Sequence, residues 1–305
     1  MRTRKIAFLH PGNAHLPELE IYRDYFTQHG FEVNIYTKKD TVYLAEYDIE
    51  WHLMGTDFTP KVPGRLKIHE YISLSLPPLS KLKNYIKVSF NTTPDLRIFH
   101  NTAVKQQLNF EDKAPYLFRD AGIGAHFFNP TPTDKKYDFV YHGSMHRSRH
   151  LDQFLTIFAE RFQHYTLLVV GNPGKTLQSQ FHFAKNIYFA GQVPYNMIPN
   201  VINQARYGLN YIPPIYPYYL QPSLKLLEYC ALGLNIISTD YTWVNHFEQS
   251  RSGHFFKINK DWSNFYPDAV LNFPYKTPEV TDLQWINILT SSNILNFIQQ
   301  TFVKD

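Results

Sequence analysis

Glu228 is the single acidic side chain of the run LKLLEYCAL, residues 224–232, and it lies a full turn into an otherwise mostly apolar helical pattern. A carboxylate buried there requires a partner, because an unpaired buried charge costs several kcal/mol, of order 3–5 once a partner is removed. Two vicinal hydroxyls of a ribose would suit it. Pro222 and Ser223 read as a first-position proline and a cap, which leaves the first N–H groups of the helix facing outward towards an anion, with Lys225 in the same turn. Gly233 stops the helix, and LNIIST follows as a buried strand.

Further chemistry-bearing residues cluster after strand-like runs. The strand YDFVYHG, ending at Gly143, leads into Ser144, Met145, His146, Arg147, Ser148 and Arg149. Two guanidinium forks beside a helix start suit a diphosphate, against the alternative of a solvated basic turn. A second glycine loop, Gly171-Asn172-Pro173-Gly174-Lys175, permits close approach of a ligand or forms a plain tight turn. In HEYISLS, residues 69–75, strand alternation separates Glu70 from His69 and Tyr71. If the strand ends at Ile68, Glu70 becomes available as general base on an acceptor hydroxyl, provided burial raises its pKa. His15, with Glu18 nearby, is the competing candidate base.

These stretches resemble GT-B glycosyltransferases, in particular the group whose C-terminal domain carries a Glu-x7-Glu nucleotide-sugar signature. The resemblance maps the ribose-holding Glu onto Glu228, while the first Glu, which contacts the donor sugar, falls on Leu220. It also maps the family's phosphate-binding Arg and Lys onto Ser144 and Arg149, and its base-contacting segment onto Gly191-Gln192-Val193. It implies a metal-independent hexosyl transfer from a nucleotide diphosphate sugar to a hydroxyl of a glycan or lipid-linked glycan, as in bacterial surface polysaccharide synthesis, with no resident cofactor. A nucleotide-sugar epimerase or hydrolase on the same fold, or a non-catalytic nucleotide-binding protein, are the alternatives. Inverting or retaining outcome stays open with Leu220 in the motif.

The elements that must hold these residues are α/β throughout. KIAFLH, a helical pattern from about Leu16 to His29, Gly30 and EVNIYT make a βαβ start without a full G-x-G-x-x-G, so a dinucleotide cofactor is not expected. The expected organisation is two doubly wound, Rossmann-like domains facing a cleft. Residues 1–130 form an acceptor-side domain, and residues 131–282 a donor-binding one entered through the linker NPTPTDKK. Residues 283–305 are helices that cross back to the first domain in the resembled fold.

A net charge of +4 over 305 residues gives no reason to expect nucleic acid. The lone Cys230 permits no intrachain disulfide and fits a reducing, cytoplasmic compartment. No Asp-x-Asp pair stands at a strand end and no zinc spacing occurs, although His142, His146 and His150 recur at every fourth residue. The many aromatic residues are read first as core. KLKNYIK, residues 81–87, is an amphipathic helix by default, with contact to an anionic inner leaflet of the plasma membrane as its functional alternative.

Overall fold

The computed structural model describes residues 2–12, 16–53 and 55–303. The chain divides into two compact units, Met1–Gly122 with Trp285–Asp305, and Ile123–Gln284.

In chain order the first unit contains β1 (Arg4–His10), α1 (Glu18–Gln28), β2 (Phe31–Thr37), β3 (Ile49–Leu53), β4 (Leu66–Tyr71), α2 (Ser80–Phe90), β5 (Leu96–Phe99), α3 (Thr102–Leu108) and β6 (Tyr116–Phe118). All pairings are parallel, in the order β2-β1-β3-β4-β5-β6. The order reverses beside β1, so the crevice at the carboxyl ends of β1 and β3 is where such a sheet offers a ligand site. Much of the aromatic content is core here: Phe8 and Trp51 lie 4.9 Å apart, with Tyr22 and Phe26 packed on them.

The second unit runs β7 (Tyr137–His142), α4 (Leu151–Arg161), β8 (Leu167–Val170), α5 (Gly174–Gln180), β9 (Ile187–Gly191), α6 (Ile198–Ile202), β10 (Ala205–Asn210), α7 (Leu224–Ala231), β11 (Asn235–Thr239), α8 (Thr242–Ser250), β12 (Phe256–Ile258) and α9 (Pro267–Leu271). Its sheet is again parallel, β12-β11-β10-β7-β8-β9, with the switch point between β7 and β10. Phe158 of α4 and Phe162, the residue that caps its C-terminus, stack at 4.9 Å over Phe139 of β7.

The remaining helices, α10 (Trp285–Ser291) and α11 (Ile294–Val303), belong to the first unit. Trp285 anchors them: it meets Tyr22 edge-on at 6.0 Å, lies 4.9 Å from the Arg119 guanidinium, and packs so closely on Gly122 that no Cβ would fit there.

Candidate functional site

The glycine ends of three neighbouring strands form one rim of the second sheet. Gly143 follows β7, Gly171 follows β8 and Gly191 ends β9; the Gly143 N–H donates to the Val170 carbonyl at 3.0 Å, and the Gly171 N–H to the Gly191 carbonyl at 2.8 Å. Only at Gly171 is glycine enforced by both conformation and space. Its φ is +136°, and a Cβ there would stand 2.5 Å from the Gly143 carbonyl oxygen. Gly171→Ala is therefore expected to destabilise the second unit by roughly 1–3 kcal/mol, read as a lowered Tm; an unchanged Tm would show that the rim is free to open.

Across the switch point, α7 brings Lys225 and Glu228 to this rim. Ser223 occupies the N-cap position, yet its hydroxyl donates to Asn210 Oδ1 at 2.6 Å and does not cap the helix. Pro222 stands one residue before the cap, not at the first helical position. The N–H groups of Leu226 and Leu227 return to the Ser223 carbonyl, whereas those of Leu224 and Lys225 have no helix carbonyl to reach. Lys225 is buried and lies 4.4 Å from the Tyr141 ring centre; its Cε would be 3.4 Å from a Cβ on Gly143. Burial, and then the Arg149 charge, hold its ammonium well below the usual lysine range, with Glu228 opposing. A bound anion would reverse that balance.

Glu228 is 3 % exposed. Its Oε1 accepts from the Tyr195 hydroxyl at 3.0 Å, and its Oε2 lies 3.0 Å from His142 Nε2. The His142 contact is a close approach without hydrogen-bond geometry, since that nitrogen has no aligned partner. Two protein neighbours leave acceptor positions of the carboxylate for further donors. Tyr195 is a partner that the sequence did not single out, and His142 stood out only in the histidine repeat: Tyr195 lies 33 residues from Glu228, just after the Gly191-Gln192-Val193 segment.

The two arginines separate. Arg149 lies with its guanidinium 4.7 Å from the Tyr218 ring centre, and Tyr218 in turn shares a 2.7 Å hydrogen bond with Ser148. Arg147 lines a cavity of about 830 Å³ between the turn after β7 and α5, together with Ser144, His150, Asn172 and Gly174. Glu228, Lys225 and Arg149 do not line it. Leu220 closes the short turn Tyr218–Leu220 before α7.

Glu70 is a correction. β4 does not end at Ile68 but continues to Tyr71, and the Glu70 carboxylate is enclosed by it, 1 % exposed. Oε1 accepts from the Tyr22 hydroxyl at 2.9 Å and Arg119 Nε at 3.0 Å, and pairs again with Arg119 Nη2; Oε2 accepts from Trp51 Nε1 at 2.8 Å. So surrounded, it is a buried structural anion and not a base poised at an acceptor. His15 lies outside the described residues. Its neighbour Glu18 is buried, and burial pushes its carboxyl up against the pull of Arg119.

His142, His146 and His150 do not converge; His146 caps its own turn through Ser148 N–H. Among the described residues the metal-like grouping is instead His52, Asp57 and His69, from separate segments of the first unit. The Lys67 ammonium already fills the cation position there, 2.8 Å from Asp57 Oδ2 and 3.0 Å from Glu50. Burial pushes the Asp57 carboxyl up, but hydrogen bonds from His69, Lys67 and Thr59 and the proximity of the His52 ring outweigh it and lower its pKa. No helix among the described residues is long and apolar enough to cross a membrane.

Residues 136–268, within the second unit, match the family model "Glycosyl transferases group 1". The match covers most of the second unit. Among curated proteins, no sequence matches significantly. Solved structures with the GT-B fold resemble this chain over most or nearly all of its length. Sucrose-phosphate synthase from Thermosynechococcus elongatus aligns at 11 % identity and TM-score 0.66, covering 99 % of this chain and 100 % of that one. Anabaena Alr3699/HepE, in complex with UDP and glucose, aligns at 15 % identity and TM-score 0.61, covering 99 % of each. AviGT4, a glycosyltransferase of avilamycin A biosynthesis, aligns at 12 % identity and TM-score 0.53, over 89 % of each. At these identities the likeness establishes the GT-B fold.

Proposed function

We propose that the protein transfers a sugar from a nucleoside diphosphate donor to a hydroxyl of a glycan or lipid-linked glycan, with the donor held by the second unit. The observation that carries this is the meeting of Lys225 and Glu228 of α7 with the Gly143 rim at the β7/β10 switch point. Glu228 would receive the ribose hydroxyls through its remaining lone pairs. The α7 N–H groups, Lys225 and Arg149 would face the diphosphate, whose negative charge grows as the glycosidic bond to the leaving group breaks, while Arg147 lies apart on the neighbouring cavity. That cationic set supports a donor site without a resident cofactor. The complex of Anabaena HepE with UDP and glucose makes a UDP-sugar the first donor to test.

Calorimetric titration with UDP, UDP-glucose and the corresponding ADP and GDP compounds tests this reading on wild type and Glu228→Ala, with Tm measured alongside. One base should bind preferentially, and the variant should bind it about 10- to 100-fold more weakly, the loss of charge-assisted hydrogen bonds worth about 1.5–3 kcal/mol. Equal binding by a folded variant, or no binding of any nucleotide, would sink the donor site. Product analysis with and without a glycan acceptor then separates transfer from epimerisation, hydrolysis and simple binding.

A further inference from the structure

A cavity of about 470 Å³ opens at the carboxyl ends of the first sheet, at the switch point beside β1. It is lined by the tips of β1 (His10, Pro11, Gly12), by Lys38 after β2, by the segment 73–77 after β4, and by Lys83 and Lys87 of α2. Its walls are otherwise largely apolar, with Leu16, Leu74, Leu76 and Ile86 among them.

The charge in this cavity is one-sided. Lys87 is 7 % exposed, and no carboxylate or hydrogen-bond acceptor is paired with its ammonium among the described residues. Burial, and then the charges of Lys83 and Lys38, lower its pKa to about 8. Lys83 reaches only a backbone carbonyl, that of Leu76, at 3.2 Å. Asp40, two residues after Lys38, is taken up by the Thr37 N–H and hydroxyl, at 2.6 and 2.9 Å, and its field acts on His10. A buried lysine with two like charges as neighbours opposes folding, and a protein retains such a group where a ligand supplies the missing anion. Three ammonium groups exceed what one carboxylate would balance and match a dianionic phosphate.

We propose that this cavity binds a phosphate group, through Lys87 with Lys38 and Lys83, and that the phosphate is part of the acceptor. The second clause rests on the transferase reading; phosphate binding itself does not. The phosphate can belong to a soluble molecule or to a lipid headgroup. The latter is worth testing because α2 turns Ser80, Asn84 and Lys87 inward and leaves Leu82, Tyr85 and Phe90 more than half exposed.

The test is calorimetry of the full chain with inorganic phosphate and with hexyl phosphate, with and without saturating UDP. Binding should persist in the presence of UDP and weaken by at least about tenfold in Lys87→Met and in Lys83→Gln. Ligand-free Lys87→Met should melt no lower than wild type, because an unpaired buried cation has been removed, whereas a structural lysine would lower the Tm. Absence of binding, full displacement by UDP, or unchanged affinity in Lys87→Met would overturn the proposal. Sedimentation with phosphatidylcholine vesicles, with and without phosphatidic acid, identifies the source. A phosphatidic-acid preference lost in Lys87→Met assigns the site to a lipid phosphate; soluble binding alone assigns it to a free one. Phosphate binding that depends on Lys87 in a protein that binds no nucleotide would leave this site standing and remove the donor reading.

Discussion

Glu70→Ala is expected to lower the stability of the first unit by about 3–5 kcal/mol, because it leaves the Arg119 guanidinium buried with no strong counter-charge. Arg119 is 2 % exposed, and although burial works against its charge, Glu70, Tyr22 and Glu18 together keep it firmly protonated. It cannot answer the loss by releasing a proton. Against a total stability of the usual 5–15 kcal/mol, such a loss approaches unfolding of the unit at ordinary temperature. Hydrogen exchange of peptides covering β4 and β6 would report it separately from the second unit, which matters because a two-unit chain has no single unfolding free energy. Glu70→Gln should fail in the same direction, since it too removes the charge. The paired replacement Glu70→Met with Arg119→Met should recover much of the loss, as an apolar pair of similar volume avoids burying charge at all. A general base behaves oppositely. If Glu70→Gln kept wild-type exchange while turnover fell by about 10²–10⁴-fold, the carboxylate would be acting on substrate and the structural assignment would be wrong.

Why this pair was invisible in the sequence is instructive about what a sequence can show. Apolar runs such as KIAFLH, YTLLVV and LNIIST declare buried parallel strands, and the alternation of β and α units declares the doubly wound class. In RLKIHEY the charges suggest that a strand is ending. They do not end it: Lys67 meets Glu50 of β3, and Glu70 meets Arg119, 49 residues further on. Neutralisation by distant partners is a tertiary event with no local signature. The three-residue strands β6 and β12 at the sheet edges are likewise too short to announce themselves by periodicity.

The buried position of Glu228 was legible because its context is local: a carboxylate among leucines on a helix between two strands is a conflict within one segment, which requires a partner. The identity of its protein partners was not legible, because Tyr195 and His142 reach it from loops and strands that only the sheet order brings together. Ser223 shows the converse. Its position as an N-cap follows from the sequence, but its hydroxyl is captured by Asn210, which itself donates to Ser238 at 2.9 Å. α2 is the most misleading element: its basic and aromatic residues read as an amphipathic helix, but the inward face is the polar one. An apolar moment points to the core only when the core at that place is apolar.

Acidification from pH 7.5 to 5 is expected to remove roughly 4 kcal/mol from the first unit through two histidines alone. His52 and His100 are held neutral in the folded state. For His52, burial lowers the pKa to about 4 against the pull of Asp57. For His100, burial and then the Arg119 charge lower it to about 3, and neither ring nitrogen has an aligned hydrogen-bond partner. In the unfolded chain each titrates near 6.5. Between that value and the folded pKa the unfolded state binds more protons, so stability falls as pH falls, by about 2 kcal/mol per histidine at pH 5. His69, also lowered by burial, acts in the same direction, while Glu18, whose raised carboxyl regains its proton on acidification, works against them. The lowered carboxylates of Asp57 and Asp112 add their own losses only below their unfolded pKa near 3.9, outside this window. The check is the Tm or hydrogen-exchange protection of β3, β4 and β5 at pH 7.5 and 5, in wild type and in His100→Leu. The variant, which cannot be protonated at that position, should lose about half as much. A wild type equally stable at both values would mean that the two imidazoles accept protons within the fold, and that the first unit opens to water around them far more readily than their burial implies.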